Sequence, residues 1–292
     1  MPKIGLVTVL YNSESVLDGF FKSLSGQDFN NYHLYLVDNN PSAETDSLIA
    51  NLLAKYAIAN CRHIKNTQNV GVAKGNNQGI ELALAENADY ILLLNNDIEF
   101  YQPDIISKML QSAEDGENII IPKILFFDSK LIWMAGGKLL KNKGYTIHVG
   151  EHQKDAGQHD GNQYFEYAPT CFMLIKRIVF EKVGLMDEKY FVYFDDTDFI
   201  LRAVKAGYKI YYLGGLTVLH KVSSSTGGNE TPFSVYYTTR NRIYFISKNL
   251  TGLTKLSAYL YTFLTRMAKL ATYNKLQRNK MMAGIKDGLN LR

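Results

Sequence analysis

Three carboxylates crowd into "YFVYFDDTDFILRAVKAGYKI", Tyr190–Ile210: Asp195, Asp196 and Asp198, directly after a run of aromatic rings. A carboxylate beside apolar rings is poorly solvated, so its proton affinity rises, and a group of that kind makes a good general base. Helix capping explains part of the cluster. Asp195 or Asp196 can serve as an N-cap, Asp198 then falls in the first turn, where exposed N–H groups favour negative charge, and Gly207 supplies the stop. Capping accounts for one or two of the aspartates and leaves a carboxylate for chemistry. A second set of candidates closes three β-rich runs: Tyr11-Asn12, Asp38-Asn39-Asn40 and Asn95-Asn96-Asp97. Asn and Asp are ordinary turn residues, yet three such ends at one rim point to a ligand. A third is "NTQNVGVAKGNNQGIELAL", Asn66–Leu84, where Asn69, Gly71, Gly75, Asn76 and Gly79 recur ahead of a helical pattern. Small residues let the backbone approach a ligand, and a helix N-terminus offers N–H groups to an anion. The Gly-Lys-Ser/Thr of a phosphate-binding loop is missing from it.

The elements that must position these residues follow from periodicity. "IGLVTVLYN", "YHLYLVDNN" and "ADYILLLNND" read as strands, each short and bounded by Asn, Asp or Gly. Helical patterns lie between and after them, over Glu14–Ser25, Thr45–Tyr56 and Gly75–Ala85. Alternation of this kind predicts an α/β fold with a mainly parallel sheet flanked by helices. Beyond Pro122 the pattern loosens into Gly-rich loops and short antiparallel pieces. Residues 170–176 read as a buried strand followed by a short helix ending at Gly184, and Ser223–Pro232 as a flexible loop.

A chain of 292 residues with 46% hydrophobic and 21% charged residues suits one large domain or one domain with an appendage. Two distant cysteines, Cys61 and Cys171, exclude a disulfide framework and favour a reducing, cytoplasmic compartment. The start of the chain reads as a strand and not a signal peptide, and no apolar run reaches the length of a membrane span. The net charge of +4 is unevenly placed: from Arg240 onward eleven Lys and Arg face one acid, Asp287, so that stretch carries +10 and residues 1–239 carry −6. His148, His152 and His159 lie in a loop-rich stretch without zinc-site spacing and read as solvated loop histidines.

The ordered set "TVLYN", "LVDNN", "NVGVAKGNNQGI", "LLLNND", "CFMLIKR", "VGLMDEKYFVYFDDTDFILRAVKAGYKIYY", "HKVSSST" and "YYTTRNRIYF" resembles the family 2 glycosyltransferases, especially their bacterial rhamnosyltransferase-like and galactofuranosyltransferase-like branch. The resemblance spans roughly residues 3–250. It implies a GT-A fold and transfer of a sugar from a nucleotide-sugar donor, UDP- or dTDP-linked, with inversion at the anomeric carbon. The acceptor is then a growing glycan or lipid-linked glycan in surface polysaccharide synthesis. Carried over residue by residue, Tyr11 and Asn12 line the nucleotide pocket, Asp38 holds the base, and Gly71, Lys74 and Asn76 form the donor-side loop. Asn96 lies on the donor side beside Asp97, which with His220 binds Mg²⁺ or Mn²⁺. Asp196 is the catalytic base, Asp195 stands where the family has Glu, Asp198 supports the helix, and Arg240 contacts phosphate. "NND" offers one carboxylate where the fuller family motif has two. That departure motivates a second reading, a catalytically degenerate nucleotide-sugar or carbohydrate-binding module. A nucleotidyltransferase is disfavoured by the lack of a basic Gly-rich loop after the first strand. The Gln-x-x-Arg-Trp signature of processive synthases is absent, and the sole tryptophan is Trp133.

The expected organisation is a catalytic domain over residues 1–247, with 1–122 binding the donor and 123–247 serving the acceptor, then a basic amphipathic helical tail over 248–292. Leu256, Tyr259, Leu260, Phe263, Met267 and Leu270 recur at helical spacing. The stripe either packs on the domain or lies on an anionic membrane, at the inner face of the cell membrane. Nucleic acid is not expected as a partner, because no nucleic-acid motif accompanies the charge. A homodimer is compatible with the resemblance and required by nothing in the sequence.

Overall fold

The computed structural model describes residues 2–221 and 230–291. Most of the loop read at Ser223–Pro232, and the serines of "HKVSSST", lie outside the described residues. The chain begins with β1 (Ile4–Leu10), α1 (Glu14–Ser25), β2 (Tyr32–Asp38), α2 (Ala43–Lys55), β3 (Cys61–Lys65), α3 (Val72–Ala85) and β4 (Tyr90–Leu94). β1 is hydrogen-bonded in parallel to β2 on one side and β4 on the other, and β2 to β3, so this half is the expected parallel sheet. α1 forms because Val16, Leu17, Phe20, Phe21 and Leu24 fall on one face, and it buries that face. Each such side chain contributes about 1.5–3 kcal/mol on full burial. α3 comes unusually close to β1. A Cβ at Gly79 would lie 2.4 Å from Val7 Cγ1, so only glycine allows this approach. The helix N-terminus is thereby seated at the ends of the strands.

Next come β5 (Ile98–Phe100), α4 (Ile105–Glu114), β6 (Ile119–Phe126), β7 (Ile132–Met134), β8 (Gly137–Leu140), β9 (Tyr145–His148), β10 (Gln163–Phe165), β11 (Phe172–Lys176) and α5 (Arg177–Val183). β11 runs antiparallel between β4 and β6, so the second half of the sheet is mixed and not simply parallel. After a single 3-10 turn, Glu188–Tyr190, follow α6 (Asp195–Lys205) and β12 (Ile210–His220). The sheet order is β10-β12-β6-β11-β4-β1-β2-β3, with β5 paired to β12 and β7 to β6. Pro122 inside β6 lacks an N–H, and the register of β12 shifts opposite it, between Leu213 and Thr217. β8 and β9 form a separate hairpin. β3 escaped the sequence reading because "CRHIK" is short, charged and only half buried.

Three helices complete the described chain: α7 (Pro232–Asn249), α8 (Gly252–Lys269) and α9 (Lys275–Asn290). The boundary expected at 247 falls inside the last turn of α7. The stripe from Leu256 to Met267 lies on α8 with Leu270 as its C-cap, and Asn274 starts a separate helix, α9, with a capping box to Gln277. α9 packs back on α7. The stripe of α8 faces outward, with Leu256 64% and Phe263 58% exposed, while the small residues Ala258 and Thr262 are buried. Packing of the apolar stripe against the domain is therefore not what the fold shows.

Candidate active site

The cleft lies beyond the carboxyl ends of β1 and β4, where α/β sheets hold ligands, and has a volume of about 1130 Å³. Its floor is stapled by Asn96, whose side-chain amide donates to the Val9 carbonyl at 2.7 Å and to Ser13 Oγ at 2.8 Å. This fixes the turn after β4 against the end of β1 and aims Asp97 into the cleft. Gly71, at φ +87°, opens α3, and a Cβ there would lie 2.5 Å from the Phe191 carbonyl oxygen. The Val72 N–H donates to that same oxygen, joining α3 to the aromatic segment before α6.

That segment is held against its preference. Phe191, Tyr193 and Phe194 all have positive φ, between +60° and +68°, a conformation that costs bulky residues on the order of 1–3 kcal/mol each. α7 over-determines it. The Asn241 amide nitrogen reaches the carbonyl oxygens of Tyr190, Val192 and Tyr193 at 2.7, 2.7 and 2.9 Å. Arg240 donates to the Lys189 and Tyr190 carbonyls and lies over the Tyr237 ring. Phe194, in the left-handed region, is the residue before α6. The expected aspartate N-cap is replaced by this strained phenylalanine, and Asp195 and Asp196 become the first two helical residues.

The two carboxylates face different surroundings. Asp196 Oδ2 accepts from the Tyr167 hydroxyl at 2.9 Å, and Oδ1 accepts from the Thr197 N–H at 2.6 Å and the Thr197 hydroxyl at 3.1 Å. Burial raises the proton affinity of Asp196, while these donors oppose the rise. Asp195 is raised to about 8, first by burial and then by the charge of Asp196. Near neutrality Asp195 thus holds its proton, while the donors around Asp196 favour its charged form. Asp198 does not share the cleft and does not cap the helix. Fully buried, it accepts from Arg202 at 2.9 Å, Lys248 at 2.9 Å and Asn249 at 2.8 Å, tying α6 to α7.

At the other end, the antiparallel pairing of His220 with Ile98 sets His220 beside Asp97. Nε2 lies 3.2 Å from Asp97 Oδ1, and both side chains are buried. His220 Nδ1 is buried with no hydrogen-bond partner among the described residues. A hard divalent cation fits such a pair when a bound ligand adds oxygens. Among the described residues no group of three or more His, Cys, Asp and Glu could hold a metal. Rings connect the two ends. Trp133 meets His220 edge to face at 4.6 Å and His148 at 4.4 Å, and His148 stacks toward Tyr167 at 6.5 Å.

Of the expected site residues, Tyr11, Gly71, Asn76 and Asn96 line the cleft, as do Asp97, Asp195, Asp196 and His220. Four others do not. Asn12 is exposed and accepts from Asn40; Asp38 accepts from the Asn40 N–H and lies 3.3 Å from His63 Nε2. Lys74 pairs with Glu188 at 3.8 Å, and Arg240 is spent on backbone carbonyls. His148, read as a solvated loop residue, is instead a half-buried wall of the cleft whose proton affinity burial lowers. His152 is exposed, yet it also lines the cleft, stacked on Phe126 at 5.0 Å. His159 lies elsewhere, where its carbonyl accepts from Tyr212. Trp133, Tyr145, Thr146 and Tyr167 were missed. The only sequence signal for the first three was weak strand alternation in "IWM" and "YTIH", and Tyr167 lies in a loop with none.

Known proteins resemble this chain in sequence and in fold. A dTDP-rhamnosyl transferase, RfbF of Shigella flexneri, is 27% identical over 83% of this chain and 79% of its own length. The low-salt glycan biosynthesis hexosyltransferase Agl10 of Haloferax volcanii is 24% identical over 84% of this chain and 75% of its own. Among solved structures, S. aureus TarS 1–349 in complex with UDP aligns with a TM-score of 0.62 at 13% identity, covering 99% of this chain and 80% of that one. The mannosyltransferase PcManGT of Pyrobaculum calidifontis, in complex with GDP-Man and Mn²⁺, aligns at 0.60 and 11% identity, covering 99% and 86%. These likenesses establish the GT-A fold. Residues 6–184, more than half of the sequence and most of the cleft floor, match the family described as Glycosyl transferase family 2, and the chain belongs to that family.

Proposed function

We propose that the protein is an inverting glycosyltransferase that moves a sugar from a UDP- or dTDP-linked donor to a growing glycan or lipid-linked glycan in surface polysaccharide synthesis. The observation that carries this reading is Asp196, a half-buried carboxylate whose oxygens accept hydrogen bonds from Tyr167 and Thr197 in the same cleft as Asp97 and His220. Asp196 takes the proton of the acceptor hydroxyl as that oxygen bonds the anomeric carbon and the bond to the diphosphate breaks. Asp195, protonated near neutrality, leaves the acceptor side with one negative charge instead of two. Trp133 and His148 form an aromatic wall between the two ends. Asp97 and His220 are the residues that would hold Mg²⁺ or Mn²⁺, which when bound neutralises charge on a leaving diphosphate.

Residues up to 122 supply the donor side of this reading and residues 123–247 the acceptor side. A peripheral seat on the cell membrane belongs to it too, since a lipid-linked acceptor lies there. Incubation with a panel of nucleotide sugars and Mn²⁺ tests the proposal, reading nucleoside diphosphate release and, by NMR, the anomeric configuration of the product. An inverted product is expected; retention of configuration overturns the mechanism. The single carboxylate of "NND" favours the second reading, a degenerate module, and donor binding with no release of nucleoside diphosphate would select it.

A further inference from the structure

The outer face of α8 has no counterpart in the catalytic reading. Leu253, Leu256, Leu260, Phe263, Leu264 and Met267 are each more than half exposed. At 3.6 residues per turn they fall within about 120° of the helix circumference. Ala258 and Thr262, the buried residues of α8, fall on the opposite side. The helix therefore docks by its small, polar face and presents its apolar stripe away from the body, the reverse of an ordinary surface helix. A contiguous apolar patch of this kind marks an interaction surface.

The surroundings of the stripe are cationic. The Ser257 hydroxyl donates to the Asn142 carbonyl at 3.0 Å, which brings the turn between β8 and β9 alongside α8, with Lys141 exposed in it. Lys143 lies over the Tyr261 ring of α8. Beyond the end of α8 stand the exposed Lys275, Arg278 and Lys280. Over residues 248–291 eight Lys and Arg stand against one acid in the sequence, Asp287; Lys248 is paired with Asp187 and Asp198 and Lys269 with Glu230, which leaves the other six cations in excess. Apolar residues on one face with cations around it match the requirements of a helix lying in an anionic lipid interface. A second copy of this chain fits worse, because pairing like patches about a two-fold axis would bring the same cations together.

We infer that the outward face of α8 seats the protein on an anionic membrane surface, a proposal that deepens the lipid-linked acceptor reading above and rests on it for its purpose. Among the described residues no helix is long and apolar enough to cross a membrane, so the contact is with the interface. The test uses the full chain and sedimentation with vesicles of phosphatidylcholine alone or mixed equally with phosphatidylglycerol. The parent is expected to bind the anionic vesicles and not the neutral ones, and Leu256→Asp/Phe263→Asp to lose at least about tenfold in bound fraction. The unfolding temperature and transfer to a water-soluble acceptor should be unchanged, because both side chains project into solvent. Equal binding of parent and variant overturns the proposal. So does equal binding to neutral vesicles, or a dimer in solution that the double substitution dissociates while vesicles bind neither protein. A parent that binds anionic vesicles through α8 but turns over no nucleotide sugar would contradict the transferase reading and leave the membrane surface standing.

Discussion

The two ends of the cleft use the same residue type under opposite conditions. Asp97 lies against His220, a group able to carry or share positive charge, at 3.2 Å. Asp195 and Asp196 lie against each other and against rings, and burial raises both. In the proposed mechanism the carboxylate beside a potential cation partner is the ligand, and the desolvated carboxylate beside another is the base. Within the second pair the hydrogen bonds divide the labour further, since Tyr167 and Thr197 serve Asp196. Environment, not residue type, assigns the roles.

Breaking the base end should have the largest effect. Asp196→Asn keeps the shape and removes the proton acceptor. We expect kcat to fall by roughly 10²–10⁴-fold, with donor affinity, read by calorimetry, within about twofold. Breaking the other end comes next: His220→Ala should cost on the order of 100-fold in kcat/KM. It should also abolish the extra thermal stabilisation that Mn²⁺ adds to a nucleoside diphosphate, because a ligand stabilises only the state that binds it.

Asp195→Asn should be the mildest, within about threefold in kcat near neutrality, because the native side chain already holds its proton there. Its signature is in stability. A carboxylate whose folded-state proton affinity is raised contributes stability that is full below the ordinary carboxylate range and is lost as pH rises through about 8. The amide has no such loss, so the variant's unfolding temperature should gain on the parent's between about pH 5 and about pH 8. A constant difference across that range would show that Asp195 is not the proton holder.

Legibility in the sequence followed the range of the interactions. The ends of β1 and β4, the glycines of α3 and the two aspartates opening α6 were readable, because strand period, helix start and turn chemistry are local. The cap was misread because Phe194 takes a left-handed conformation that no local preference supports; Asn241, about fifty residues on, holds the segment. Asp198 does stand in the first turn of α6, but its ties to Lys248 and Asn249 were not legible, those partners being equally remote. Trp133, His148 and Tyr167 were illegible as a site because they come from short strands and a loop that meet Asp196 and His220 only in the folded sheet. Arg240 looked like a phosphate ligand by charge, whereas the strained aromatic segment takes up its donors.

The most direct test of Asp196 as a half-buried, hydrogen-bonded base is the pH dependence of kcat/KM in the parent and in Tyr167→Phe. The account predicts an acid limb whose midpoint lies above the ordinary carboxylate range, because burial outweighs the donors. That midpoint should move further up when the Tyr167 hydroxyl is removed, while donor affinity stays unchanged. A limb at the ordinary carboxylate value that does not move in Tyr167→Phe would contradict it.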